Sequence, residues 1–435
     1  MTDRLSTQPY KGTRDFYPSE MQVRRWFFEQ MRQVVGQYGY QEYDGPMLEP
    51  FEIYAAKTGE EIVNEQLYSF EDRGGRKVAM RPEMTPTLAR MVAAKGQSLQ
   101  KPLRWFSIPN LWRYERPQRG RLREHWQLNV DLLGVDGVEA EIEIIQVAID
   151  MMRGFGASPA DFEIMINHRQ LMNDLFESVL KLEPAQIKAV ARAIDKKEKI
   201  SPEAFQTLLE EAGCSSEQIS GLEHILTAPL LEIGKLCEDS KGYQDLIRFF
   251  DTINALGLGP VCRFNTSVMR GLDYYTGMVF ELFDKHPENR RAIFGGGRYD
   301  NLVGMFGGTQ IPGVGFGMGD VTLVDFLQTH GLLPETEAHV DVLVGLFNAE
   351  MLVQSQQLAR MLRAQGIKVE TVLKPQKLGK QFELADKKGI PLVLLQGPDE
   401  AVLEVVTVKN LRTGQQEQVQ MESLAVWLQD HLGKR

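Results

Sequence analysis

WRYERPQRGRLREHWQLNVDLLG, residues 112–134, is the stretch on which the fold turns. Trp126, Leu128, Val130 and Leu132 alternate with Gln127, Asn129, Asp131 and Leu133. Period-two alternation puts one set on each side of a pleated strand. The pattern predicts two strands, 103–115 and 124–134, around an arginine-rich loop. On the first, Arg113 and Glu115 face one way while Trp112 and Tyr114 face the other. Two adjacent strands then present a polar face of Arg, Glu, Gln and Asp over an apolar backing. A polar strand face ordinarily meets solvent. Against that, arginine suits bidentate recognition of phosphate, and the loop's charge could reach an RNA backbone.

Working outward, Ser19 to Tyr38 is expected to be a helix. Ser19 and Gln22 fit a capping box, with Trp26, Phe27, Met31, Val34 and Val35 at helical spacing. A helix is expected over Val138–Arg153, stopped by Gly154, and a short strand at Phe162, Ile164 and Ile166. Residues 169–257 are rich in Glu, Lys, Ala and Leu and read as a helical insertion. Strands are expected again at 260–268 and 277–284. GLLPETEA lies within a predicted linker, 327–338, that separates a domain at 1–326 from one at 339–435. In the latter, strands at 340–347, 367–373, 391–396 and 402–409 alternate with helices at 349–365, 377–388 and 421–432. That order predicts a compact α/β domain with a largely parallel sheet.

The 435-residue length suits two or three domains. Hydrophobic residues make up 43% and charged residues 25%, as in ordinary globular proteins. No window reaches the roughly 18 apolar residues of a membrane span. The opening MTDRLSTQPYKGTRD lacks a signal-peptide core. Cys214, Cys237 and Cys262 have neither zinc nor pairing spacing. A reduced, cytoplasmic chain without a structural metal is expected. A net charge of −10 has the wrong sign for a general nucleic-acid binder. Five arginines between 113 and 123, and five lysines between 374 and 388, form local basic patches, the lysine cluster taken alone reading more simply as solvated surface charge. Acidic surface elsewhere would confine RNA to such patches.

Three further segments carry candidate chemistry. Arg81-Pro82-Glu83-Met84-Thr85 reads as a turn in which Glu83 either caps a helix or binds a ligand. In Arg270-Gly-Leu-Asp-Tyr274-Tyr275-Thr-Gly a cation lies beside two tyrosines; a plain hairpin with core tyrosines is the simpler alternative. Gly295-Gly-Gly-Arg-Tyr299-Asp300 permits close backbone approach to a ligand, although such triplets also occur in turns.

Taken together, these residues resemble the signature set of histidyl-tRNA synthetases, a class II family. KGTRDFYP (11–18) looks like the family's start, and MRPEMT is similar to its RPEGT segment, with Met84 for Gly. WRYERPQRGRLREHWQ resembles the second class motif, and MRGLDYYTG and FGGGRYDNLVG the two histidine motifs. GVGFGMG (313–319) begins the third class motif. KQFELADKKGIP and VTVKNLRTG resemble the anticodon-binding module, so the resemblance covers nearly the whole chain.

The resemblance implies an α+β fold. A class II antiparallel sheet is flanked by helices, with a helical insertion and a C-terminal α/β anticodon-binding domain, in a homodimer. It implies that Glu83, Thr85, Gln127, Asp131, Tyr275 and Tyr299 bind L-histidine, with Tyr274 nearby. Arg113 would hold the α-phosphate of ATP, Arg121 the terminal phosphate, and Glu115 the adenine edge or Mg²⁺. Arg270 would serve as the catalytic cation and also border the histidine. The implied reaction forms histidyl-adenylate from histidine and ATP, then loads tRNA(His). Two departures bear on the nucleotide pocket. Thr322 stands where the third motif carries arginine, and His125 and Trp126 occupy the place of the usual aromatic. The rival is a histidine-binding regulatory paralogue of ATP phosphoribosyltransferase, which typically lacks the anticodon domain. A bare RNA-binding module leaves the histidine motifs unexplained.

Overall fold

The computed structural model describes residues 5–55, 65–96, 98–197, 200–269, 274–289, 291–307, 309–335 and 338–432. The chain forms two compact units, Met1–Pro334 and Glu335–Arg435. In the first, strands β1 (Gln41–Glu42), β5 (Leu103–Ser107), β6 (Asn110–Trp112), β7 (Glu124–Leu133), β8 (Phe162–His168), β9 (Cys262–Phe264), β10 (Met278–Asp284), β11 (Ala292–Arg298) and β12 (Gly313–Gly319) build one large sheet. Its order is β1-β5-β7-β12-β11-β10-β8-β9, with β6 paired to β7. The central pairings are antiparallel and the outermost, β1 with β5 and β8 with β9, are parallel. A small sheet of β2 (Leu48–Pro50), β3 (Ser69–Glu71) and β4 (Lys77–Met80) leads into the helix Thr85–Lys95.

The alternation in β7 decides which face becomes core. Leu128, Val130 and Leu132 are buried with Val314, Phe316, Met318, Phe280 and Ile166. Phe27, Met31, Val34 and Val35 of the helix Pro18–Gln37 join that cluster, as do Ile144, Ala148 and Met151 of the helix Glu139–Gly154. The opposite face carries Gln127, Asn129 and Asp131. Residues 169–255 are helical wherever elements form, from Arg169–Asp174 to Lys241–Ala255.

Several expected boundaries move. The first strand breaks at Ile108-Pro109 and ends at Trp112, because Pro109 has no N–H for the ladder. Arg113 and Glu115 therefore lie beyond the strand. The first helix starts at Pro18, with Tyr17 at its N-cap and no side-chain cap; Ser19 Oγ instead donates to Glu20. Gly154 lies inside its helix, which turns at Gly156, where φ is +90°. The Gly295 triplet sits mid-strand in β11 rather than in a turn. The helix Asp320–Thr329 runs past residue 326 into the expected linker, and its Leu327 is buried.

In the second unit the strands are β13 (Val342–Val344), β14 (Val369–Thr371), β15 (Leu392–Leu395), β16 (Val405–Asn410) and β17 (Gln416–Gln420), in the order β14-β13-β15-β16-β17. Only the β13–β14 and β13–β15 pairs are parallel; β15–β16 and β16–β17 are antiparallel. The largely parallel sheet expected is therefore mixed. The sequence reading missed β17 because QEQVQ buries Val419 alone and shows no apolar period.

Candidate active site

The polar face of β7 looks onto a floor of glycines. Gly315 pairs with Asp131 and Gly317 with Asn129, while Gly295 and Gly297 of β11 pair with Gly317 and Gly315. A Cβ on Gly315 would lie 2.4 Å from the Val130 carbonyl and 2.5 Å from Asp131 Oδ1; one on Gly317 would lie 2.8 Å from Gln127 Cδ. Glycine is the residue that leaves this surface bare. The result is a cavity of about 90 Å³ lying directly on the backbone. Gln127, Asn129 and Asp131 line it from β7 and Tyr274, Tyr275 and Tyr299 from the far side. Glu83 and Thr85 line it from the turn before the helix Thr85–Lys95, and Arg113 completes the wall.

Those side chains hold one another. Tyr274 donates to Glu83 Oε2 at 2.9 Å and Tyr299 to Asp131 Oδ1 at 2.5 Å. The three tyrosine rings pack edge to face, with centroids 5.1 and 5.9 Å apart. Arg81, buried below the turn, donates to Asp44 Oδ1 and to the carbonyls of Gly45 and Asn110. Arg113 Nε donates to the Pro82 carbonyl at 2.8 Å, tying the loop after β6 to the turn bearing Glu83. The N-cap residue of the next helix is Met84 rather than Glu83.

Burial dominates the electrostatics. It pushes the Asp131 carboxyl up to about 7, against the opposing pull of the Tyr299 hydroxyl. Among the described residues, Asp131 Oδ2 is buried with no hydrogen-bond partner. A group in that state awaits a donor from a ligand. Burial, and secondly nearby carboxylates, raise the phenols of Tyr274, Tyr275 and Tyr299, which stay protonated as donors. Burial, Arg113 and Arg14 lower His125 to about 3, which keeps its ring neutral.

The remaining arginine-loop residues stand apart from this cavity. Gln118 and Arg121 exchange backbone hydrogen bonds across a turn in which Gly120 has φ +76°. Arg121 is half exposed, 3.8 Å from the Glu115 carboxylate. Arg119 pairs with Asp325 at 3.0 Å and also donates to Asn289. Arg123, counted in the basic patch from sequence, is instead a buried brace. It donates to Tyr10 Oη and the Glu115 carbonyl and lies 4.0 Å from the Tyr114 ring. Thr322 Oγ1 donates to the Ile293 carbonyl at 2.6 Å. Arg270 lies outside the described residues. The reading from sequence placed Asn129 on the polar face without giving it a site role, and saw close ligand approach at the Gly295 triplet but not at Gly315 and Gly317. The alternating glycines of GVGFGMG were the available signal, since a glycine at every second residue strips one strand face.

The chain's likenesses accord with this geometry. A histidyl-tRNA synthetase family model matches residues 12–321 and an anticodon binding domain model residues 340–431. The histidine–tRNA ligase of Leptospira biflexa is 45% identical over 415 residues, 95% of each chain. That of Haloarcula marismortui is 40% identical over 420 residues, again 95% of each. The histidyl-tRNA synthetase structure from Nostoc sp. PCC 7120 superposes with a TM-score of 0.82 at 25% identity, covering 98% of this chain and all of that one. With family matches over both units and relatives alike along nearly its whole length, this chain belongs to the histidyl-tRNA synthetase family.

Proposed function

We propose that this protein activates L-histidine with ATP and transfers the histidyl group to the 3′ end of tRNA(His). The observation that carries this reading is the convergence of Glu83, Gln127, Asp131, Tyr275 and Tyr299 on one glycine-floored cavity bordered by Arg113. An imidazole needs a polar partner at each nitrogen. Asp131 Oδ2 is poised to accept one N–H, and a tyrosine hydroxyl can serve the other nitrogen. Glu83, Thr85 and Gln127 offer acceptors for the α-ammonium. The histidine carboxylate then points toward Arg113.

In the reaction a carboxylate oxygen attacks the α-phosphorus of ATP and the bond to the β-phosphate bridging oxygen breaks, releasing pyrophosphate. Charge gathers on the phosphoryl oxygens, where fixed cations stabilise the transition state. Arg113 serves the α-phosphate, Arg121 the terminal phosphate, and Arg270 is the second catalytic cation by its motif. Mg²⁺ enters with the triphosphate as part of the substrate. The Glu115 carboxylate lies 3.8 Å from Arg121, and the described residues contain no group of three or more metal-binding side chains to cage an ion. A tRNA ribose hydroxyl afterwards attacks the acyl carbon and AMP leaves. The second unit recognises the anticodon, with Lys374, Lys377 and Lys380 exposed for phosphate contact. The chain works as a homodimer in the cytoplasm; no helix among the described residues is long and apolar enough to cross a membrane.

The test is ATP–pyrophosphate exchange by the purified protein with each amino acid in turn. Histidine alone should support it. Histidine binding without exchange would favour the regulatory paralogue, a reading that the matched anticodon domain opposes.

A further inference from the structure

Arg298 lies between Gly297, which pairs with Gly315 of the pocket floor, and Tyr299 of the pocket wall, yet it does not line the cavity. Its guanidinium runs to the opposite side, where all five of its N–H donors are used. Nε donates to Glu141 Oε1 at 2.5 Å, and Nη2 to Glu141 Oε2 at 2.6 Å and the Gly137 carbonyl at 3.0 Å. Nη1 donates to the Val135 carbonyl at 3.0 Å and Asp300 Oδ1 at 3.2 Å. The other Asp300 oxygen accepts from Thr276 Oγ1 at 2.9 Å, and the Thr276 amide donates to the Arg298 carbonyl at 2.8 Å. The arginine stem crosses Gly277 so closely that a Cβ there would lie 2.9 Å from Arg298 Cδ.

These contacts join the loop after β7 and the helix Glu139–Gly154, neither of which lines the pocket, to the two segments that carry Tyr275 and Tyr299. Val135 and Gly137 lie in the loop after β7, just beyond Asp131. Glu141 anchors the helix Glu139–Gly154. Asp300 follows Tyr299, and Thr276 follows Tyr275. The Arg298 and Glu141 side chains are only 8% and 4% exposed. A buried ion pair contributes little net stability, because desolvation offsets most of its attraction, but it does define geometry. We propose that Arg298 is the positioning residue of the histidine pocket, locking the strand ends so that Tyr299 and Tyr275 close on Asp131 from a fixed direction. The proposal rests on the reading of that cavity as the histidine site.

Arg298→Lys keeps the charge but supplies three donors for five acceptors. Asp300→Ala removes the link to Thr276 while leaving the Glu141 pair intact. Its carboxylate is 38% exposed, so this variant should fold. Histidine affinity is read by calorimetry, and KM for histidine and for ATP by pyrophosphate exchange. Both variants should weaken histidine binding and raise its KM about tenfold, with KM for ATP within about twofold of wild type. A purely structural role would lower stability without that split. Unchanged histidine affinity in folded Asp300→Ala, or equal rises in both KM values, would overturn the proposal. If Arg298→Lys does not fold, Asp300→Ala decides alone. Wild-type protein that binds histidine but does not exchange refutes the ligase reading separately, while calorimetry still tests the positioning. Wild-type protein that binds no histidine overturns both.

Discussion

Asp131 is a carboxyl held up to about 7 by burial against an ordinary 3.8. Between those values the folded chain keeps a proton that the unfolded chain has released. The contribution of this carboxyl to stability is therefore full below about pH 4, falls by up to about 1.4 kcal/mol per pH unit, and is lost above about pH 7. Asp131→Asn cannot ionise and should flatten that part of the profile in urea melts of ligand-free protein. Parallel profiles for the two proteins would show that the carboxyl is not held neutral. The phosphate side makes a second prediction. Arg113→Ala should nearly abolish exchange, and Arg270→Ala should slow it on the order of a hundredfold, the loss of one cation aimed at developing charge. Thr322→Ala should change KM for ATP little, since the Thr322 hydroxyl is occupied by the Ile293 carbonyl. A large rise in KM for ATP in that variant would give Thr322 a direct role in nucleotide binding.

At the scale of the element, β11 and β12 do different work on their two faces. Gly296 faces the core, where a Cβ would come within 2.1 Å of the Gly315 carbonyl and 2.7 Å of Phe316 Cβ. Neither atom belongs to a flexible side-chain end, so Gly296→Ala should destabilise the fold by about 3 kcal/mol. Gly317 faces the pocket, where a Cβ meets the mobile end of Gln127. Gly317→Ala should keep nearly full stability and instead raise KM for histidine about tenfold, by displacing Gln127. Thermal melts beside exchange kinetics separate the two outcomes; equal stability losses would mean that the floor is no more than close packing. The glycines were visible in the sequence as a repeat of period two. Their placement in central strands was not, because a triple glycine has little strand propensity and is held extended here by neighbours on both sides.

At the scale of the molecule, the cavity lies entirely within the unit Met1–Pro334. Removing residues 335–435 should spare pyrophosphate exchange and weaken tRNA charging about tenfold or more, provided the truncated chain keeps its oligomeric state in sedimentation. Unimpaired charging would deny the second unit a part in tRNA recognition. The alternation in β7 and the helical character of residues 169–255 were legible in the sequence, because each is a local pattern. Periodicity reports which way a side chain leaves its own strand. It does not report what that side chain meets. Asp131 finds Tyr299 from 168 residues away, Glu83 finds Tyr274 from 191, and Arg298 finds Glu141 from 157. Those meetings follow from the order β7-β12-β11-β10, which brings distant strands edge to edge over a common core. The sequence by itself determined the faces; strand order and burial in the tertiary structure decided that one face became a pocket in which desolvation raises the Asp131 carboxyl.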